Sequence, residues 1–165
     1  PANFERVREV FGDPTNDRFR VGGLPGFPFN IARKMRRLDQ FLMDLLLEPE
    51  KVSVLLQRIE ELLAETMVQY AAAGADGVMF PEDWGTQKGL MINPELWREE
   101  FKPRFRHLCA AAHTTGLKVF MHSCGKMTTI IPDLIDMLDD DTALLVVSYP
   151  NLRFPPPKAM STRNI

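Results

Sequence analysis

Residues 117–126 of the chain read LKVFMHSCGK. The apolar run at its centre favours a buried β-strand, and Gly116 just before the stretch and Gly125 near its end mark where the chain turns. His122 and Cys124 stand two positions apart at the end of this run. The whole chain contains three histidines and two cysteines, so one tripeptide holds two of its five soft metal-ligand residues.

Helix and strand patterns alternate on both sides of this stretch. We expect helices over 4–11, 27–47 with a break near Leu38–Asp39, 52–74, 93–116 with a kink at Pro103, and 128–138. We expect strands over 18–21, 75–80, 117–122 and 143–147. Strand, helix and strand in this order, with short connections, predict βαβ units and a parallel sheet.

The loops that follow parallel strands gather on one face of the sheet, where ligand sites form. Three such loops are expected here, over 22–26, 81–92 and 123–127. Residues i and i+2 of a strand point to the same side, roughly 6.5–7 Å apart, so His122 and Cys124 could converge on one metal ion. Nitrogen and sulfur ligands favour zinc. The alternative is that His122 forms a hydrogen bond at the strand end and Cys124 fills a small buried space.

The loop PEDWGTQKG over 81–89 also has two interpretations. Asp83, Trp84 and Gln87 offer a carboxylate, an indole and an amide beyond a strand end, where they could hold a polar substrate. Alternatively, Asp83 caps a turn and Trp84 covers the top of the sheet. Asp83 is also the one conceivable third metal ligand. Cys109 is expected in the core, and His107 and His113 on the surface.

Composition excludes several classes of function. The chain has 165 residues, enough for one domain, with 45% hydrophobic residues and a net charge of −2. This balance argues against a nucleic-acid partner, and the basic cluster Arg33–Arg37 is interpreted as a solvated helix face rather than an anion-binding patch. We find no apolar run long enough to span a membrane, and the few cysteines favour a cytoplasmic location.

Longer stretches resemble a known family. Residues 75–105, ADGVMFPEDWGTQKGLMINPELWREEFKPRF, and 116–137, GLKVFMHSCGKMTTIIPDLIDM, resemble the uroporphyrinogen decarboxylase (URO-D) superfamily, and in particular its cobalamin-dependent methyltransferase-like branch. GGLPGF at 22–27 and FLMDLLLEPEKVSVLLQRI at 41–59 match the order of that branch. The resemblance covers residues 18–137.

The resemblance implies an α/β fold, a partial (β/α)₈ TIM barrel with about four parallel strands and intervening helices, because a complete barrel needs about 250 residues. Residues 1–147 are then a partial URO-D-like domain. Residues 148–165, SYPNLRFPPPKAMSTRNI, are expected to form an irregular proline-rich tail that departs from the family pattern. We therefore expect a fragment that is able to self-associate through exposed barrel edges.

For function, the resemblance implies that His122 and Cys124 are two zinc ligands and that methyl transfer runs between a corrinoid and a thiol. The branch's third ligand, a cysteine further along the chain, has no counterpart here. Asp83 is the candidate catalytic residue, and Trp84, Gln87, Gly22 and Gly23 are the candidate substrate-binding residues. The substrate would be a small molecule or a corrinoid protein. Two alternatives are uroporphyrinogen decarboxylation and a catalytically silent fragment.

Overall fold

The computed structural model of the protein describes residues 4–137 and the backbone of residues 143–148. Four strands form one parallel sheet, in which strands that are consecutive along the chain lie side by side. They are β1 (Val21–Gly23), β2 (Gly77–Pro81), β3 (Lys118–Cys124) and β4 (Ala143–Ser148). The prediction of a parallel sheet built from βαβ units is confirmed, as expected for part of a (β/α)₈ barrel.

Helices connect the strands. They are α1 (Phe4–Phe11), α2 (Pro28–Met35), α3 (Leu38–Leu47), α4 (Pro49–Ala72), α5 (Pro94–Leu96), a π-helical turn (Trp97–Phe101), α6 (Lys102–Thr114) and α7 (Ile131–Met137). The long helix predicted after Asn93 is thus interrupted by the π-helical turn. Pro103 has no N–H to donate to the carbonyl of Glu99, so the helix loses a regular hydrogen bond just where this turn lies.

Several element boundaries differ from the sequence prediction, and two of them concern the candidate site. β1 covers Val21–Gly23 rather than 18–21, because Arg20 instead joins the turn before β2 through bonds to Asp76. Gly22 and Gly23 are therefore strand residues and not loop residues. β3 continues to Cys124, two residues beyond the prediction, because its end remains paired with β4. The predicted tail, apart from the last residue of β4, lies outside the described residues.

The sheet has one covered face and one open face. Along β3 the buried residues Val119, Met121 and Ser123 alternate with more exposed ones. The buried side faces the helices and forms the core with residues such as Phe27, Phe80, Leu108 and Cys109. The prediction that Cys109 lies in the core is confirmed. The opposite face carries Val21 and Met79, which are 40% and 43% exposed, and this face corresponds to the interior of a closed barrel.

Candidate metal centre

The side chains of His122 and Cys124 lie together on the open face, at the carboxyl end of β3. Nε2 of His122 is 3.1 Å from Sγ of Cys124. The predicted convergence of the two groups is therefore confirmed by their geometry. His122 is half-buried and Cys124 is exposed. The alternative in which Cys124 fills a buried space is wrong.

Asp83 joins them from the loop that follows β2. Its Oδ1 accepts a hydrogen bond of 2.9 Å from the backbone N–H of Cys124. The donor atoms of Asp83, His122 and Cys124 all lie within 4.8 Å of one another, and within the described part of the chain they form the one such group of three. A nitrogen, a sulfur and an oxygen ligand thus face the same small volume.

A close contact between two glycines brings the two loops together. Gly125 has a φ of +85°, and a Cβ there would lie 2.4 Å from the backbone of Gly85. Beyond this contact, Thr86 and Lys126 pair as an antiparallel bridge, and Lys126 N–H donates to the Thr86 carbonyl at 2.7 Å. Glycine is required at 125 both for the left-handed φ and for the lack of space. The contact fixes Asp83 against the end of β3.

A buried carboxyl group lies next to Asp83. Glu82 is 1% exposed, and its side-chain oxygens accept hydrogen bonds from the backbone N–H groups of Phe27, Phe29 and Asn30 at 2.9, 3.0 and 3.2 Å. Phe27, at the start of α2, has no side chain that could cap the helix, so Glu82 satisfies these N–H groups instead. Burial raises the pKa of Glu82 to about 8, and the three N–H donors oppose this shift.

Sequence reasoning did not identify Glu82 as a structural residue. The sequence pattern that could have identified it is an acidic residue at a strand end, together with a helix that begins with proline and has no capping side chain. The prediction that Arg33 lies on a solvated helix face is wrong. Its side chain is 21% exposed; Nε donates to Asn30 Oδ1 at 2.5 Å, and Nη2 lies 3.4 Å from Asp83 Oδ2. The prediction holds better for Arg37, whose side chain is 75% exposed.

The predicted substrate-binding residues lie in different environments. Trp84 is 1% exposed and packs edge-on against Trp97 with ring centroids 5.2 Å apart, a position that favours the structural alternative. Gln87 is exposed in the turn between Thr86 and Gly89. A Cβ on Gly22 would lie 2.6 Å from the ring of Tyr70, so packing alone requires glycine there.

Gly23 differs from Gly22. A Cβ there would meet nothing within 4 Å, and its carbonyl accepts a hydrogen bond of 3.0 Å from the Tyr70 hydroxyl. Gly23 pairs with Met79, two residues before the end of β2. It therefore lies on the sheet below the level of His122, which pairs with Pro81. The structure brings together Asp83, His122 and Cys124, whereas the other candidates surround them at greater depth or distance.

The donor set fits a catalytic type of zinc site. Catalytic zinc is held by three protein ligands and keeps one position open for water or substrate. Asp83, His122 and Cys124 supply three ligands, and the exposure of Cys124 leaves the solvent side accessible. Imidazole and thiolate ligands also favour zinc, whereas magnesium and calcium favour oxygen ligands.

The family model described as Uroporphyrinogen decarboxylase (URO-D) matches residues 6–147, which include all of this site. The chain belongs to the URO-D family. A solved structure, a methyltransferase from Methanosarcina mazei, superimposes with a TM-score of 0.68 at 19% sequence identity. The match covers 81% of this chain and 38% of that one, so the chain spans well under half of the methyltransferase's length. This likeness shows that the fold is shared.

No curated protein matches the chain. A search of the described residues for membrane spans found no helix with both the length and the apolar character that crossing a bilayer requires.

Proposed function

We propose that Asp83, His122 and Cys124 bind zinc and that this site serves methyl transfer between a corrinoid and a thiol. The observation that carries the proposal is the convergence of the three donor groups within 4.8 Å at the end of two neighbouring parallel strands. Membership of the URO-D family supports it. So does the fold shared with a protein that is described as a methyltransferase.

Each residue has a distinct part in this proposal. His122 and Cys124 supply the soft ligands from one strand, and Asp83 supplies a carboxylate oxygen from the neighbouring loop as the third ligand. Zinc, when bound, would lower the pKa of a coordinated substrate thiol, and the thiol would then be nucleophilic at neutral pH. Cys124 Sγ and His122 Nε2 are 3.1 Å apart, so one ion could contact both donor atoms.

The surrounding residues hold the site and admit the substrate. Asp83 accepts the N–H of Cys124, so the carboxylate also fixes the end of β3. Gln87 and Gly23 are accessible and are proposed to contact a small-molecule thiol or a corrinoid protein, whereas Trp84 and Gly22 would act by shaping the surface from below. We place this chemistry in the cytoplasm.

Decarboxylation of uroporphyrinogen is the second candidate, and the description of the matching family favours it. The cluster of a thiol, an imidazole and a carboxylate favours methyl transfer instead, since decarboxylation in this family uses no metal. A catalytically silent chain is the third candidate. Only 38% of the methyltransferase's length has a counterpart here, so the remaining surfaces of an active site would come from elsewhere.

Zinc content tests the proposal. We expect one zinc ion per wild-type chain after purification and dialysis against a weak chelator. Cys124→Ala should lower zinc affinity by more than the roughly 10–100-fold that loss of an outer-shell partner costs. Cys109→Ala is the matched control, because it also removes one thiol, but from the core, where Cys109 is 3% exposed. Asp83→Asn should weaken binding while His122 and Cys124 remain.

Activity separates the candidate functions. Zinc-loaded protein should demethylate methylcobalamin in the presence of a thiol, which changes the visible spectrum of the corrinoid, and Cys124→Ala should not. Stoichiometric zinc without demethylation would support the metal site but argue against this reaction. Equal zinc content in wild type, Cys124→Ala and Cys109→Ala would overturn the proposed site itself.

A further inference from the structure

Arg33 lies on α2 beside the proposed metal centre, and its own helix holds its side chain in place. Nε of Arg33 donates a hydrogen bond to Oδ1 of Asn30, which lies one turn earlier on α2. The guanidinium group also lies over the ring of the buried Phe29, 5.8 Å from the ring centroid. Residues three and four positions apart are neighbours on one side of a helix. These two contacts therefore direct the end of the Arg33 side chain away from α2 toward the site.

Asn30 is anchored in turn to the strand that leads to Asp83. It is 1% exposed, and its side-chain N–H donates a hydrogen bond of 2.8 Å to the carbonyl of Pro81, the last residue of β2. A buried amide that both donates and accepts a hydrogen bond is fixed in its orientation. Pro81 precedes Asp83 by two positions, so the hydrogen bonds run from the end of β2 through α2 and back to the loop after β2.

The guanidinium group of Arg33 makes the last contact in this series. Nη2 of Arg33 lies 3.4 Å from Oδ2 of Asp83, while Oδ1 of Asp83 accepts the N–H of Cys124 at 2.9 Å. The two oxygens of one side chain are thus held by two different elements, α2 and β3. An ionised carboxylate has about four acceptor positions, and these two contacts use one on each oxygen. Positions for a metal ion remain.

We propose that Arg33, anchored by Asn30, is a positioning residue that fixes the carboxylate of Asp83 toward His122 and Cys124. The use of this device for metal binding rests on the proposed function. Carboxylates that bind metals are commonly held by such outer contacts. A guanidinium group near a metal ion also repels it, and that effect has the opposite sign. Removal of Arg33 should weaken metal binding if positioning dominates and strengthen it if repulsion dominates.

Amide hydrogen exchange in the metal-free protein tests the positioning by itself. Arg33→Met keeps an unbranched side chain but removes the guanidinium group, so Asp83 should hold the N–H of Cys124 less firmly. We expect this N–H to exchange at least about threefold faster than in the wild type. Amides in the middle of β3 should keep their wild-type rates, because they report general loosening of the fold. An unchanged exchange rate at Cys124 would overturn the inference.

Two further variants separate position from charge. Lys34→Met is the matched control, because it removes a positive charge from the next residue of α2, whose Nζ instead donates to the carbonyl of Pro25. It should leave exchange at Cys124 unchanged. Arg33→Lys keeps the charge but lacks the planar fork that reaches two acceptors at once, so it should accelerate exchange as well. Equal acceleration by Lys34→Met would overturn the inference, as would a wild-type rate in Arg33→Lys.

A cycle of single and double variants tests the effect on zinc. Arg33→Met should lower zinc affinity by about 10–100-fold. In the Asp83→Asn background it should have no further effect, because Arg33 acts through Asp83. Tighter zinc binding by Arg33→Met would overturn the inference, as would an equal loss in the Asp83→Asn background. A wild type without zinc would overturn the proposed function alone, since faster exchange at Cys124 would still show that Arg33 holds Asp83.

Discussion

The substitution Gly125→Ala tests whether the contact between two loops creates the site. The left-handed φ of +85° costs an alanine about 1–2 kcal/mol. Its Cβ would also lie 2.4 Å from backbone atoms of Gly85, which cannot move away as a flexible side chain could. Overpacking of this kind costs about 1–3 kcal/mol. We therefore expect Gly125→Ala to lower the free energy of unfolding by about 2–5 kcal/mol.

Gly116→Ala is the matched control for this experiment. Gly116 has nearly the same φ, +81°, but a Cβ there would meet nothing within 4 Å. Both substitutions lower the conformational entropy of the unfolded chain by the same amount. This stabilising effect therefore cancels when the two variants are compared. Gly116→Ala should lower the free energy of unfolding only by the backbone cost of the left-handed φ, about 1–2 kcal/mol.

Urea unfolding measures the stability of both variants, and competition with a chelator measures their zinc affinity. Gly125→Ala should be less stable than Gly116→Ala by about 1–3 kcal/mol, and only Gly125→Ala should bind zinc more weakly. Equal losses of stability in the two variants would refute the steric reasoning. Unchanged zinc affinity in Gly125→Ala would show that the loop contact does not position Asp83.

Two further predictions concern acidic side chains. Glu82→Ala should lower the free energy of unfolding by at least about 2 kcal/mol, because buried N–H groups at the start of α2 lose their acceptor. Amide hydrogen exchange should accelerate at Phe29 and Asn30. Exchange at the wild-type rate would contradict the role of Glu82 as the acceptor for these N–H groups. Asp133→Asn should cost about 0.5–1.5 kcal/mol at pH 7. Lys102 and a neighbouring arginine hold the pKa of Asp133 below its usual range. The contribution of Asp133 to the free energy of unfolding is therefore complete above about pH 4 and is lost as the pH falls further. A stability difference between wild type and variant that persists at low pH would contradict this.

Local signals in the sequence were sufficient for most of the fold. The apolar run around Val119 and Met121 predicted β3, and Asn93 followed by Pro94 predicted the start of a helix, where Asn93 does accept the N–H of Glu95. The βαβ order then predicted that the loops after β2 and β3 are neighbours. This adjacency is why the sequence alone indicates Asp83 as a possible neighbour of His122 and Cys124.

Contacts between distant parts of the chain were beyond local reasoning. Glu82 and Phe29 are 53 positions apart, and nothing near either residue shows that one caps the helix of the other. Arg33 belongs to a basic run that is typical of a solvated face, yet Asn30 and Asp83 hold it partly buried. Trp84 follows a strand end, as binding residues often do, but the neighbouring Trp97 encloses it in the core.

X-ray absorption at the zinc edge tests the proposed metal centre most directly, because it counts ligands by element. Zinc-loaded wild-type protein should show one sulfur at about 2.3 Å and lighter ligands at about 2.0–2.2 Å. The sulfur signal should vanish in Cys124→Ala and persist in Cys109→Ala. A zinc shell without sulfur, or with sulfur that survives Cys124→Ala, would contradict the assignment of Asp83, His122 and Cys124 as a zinc site.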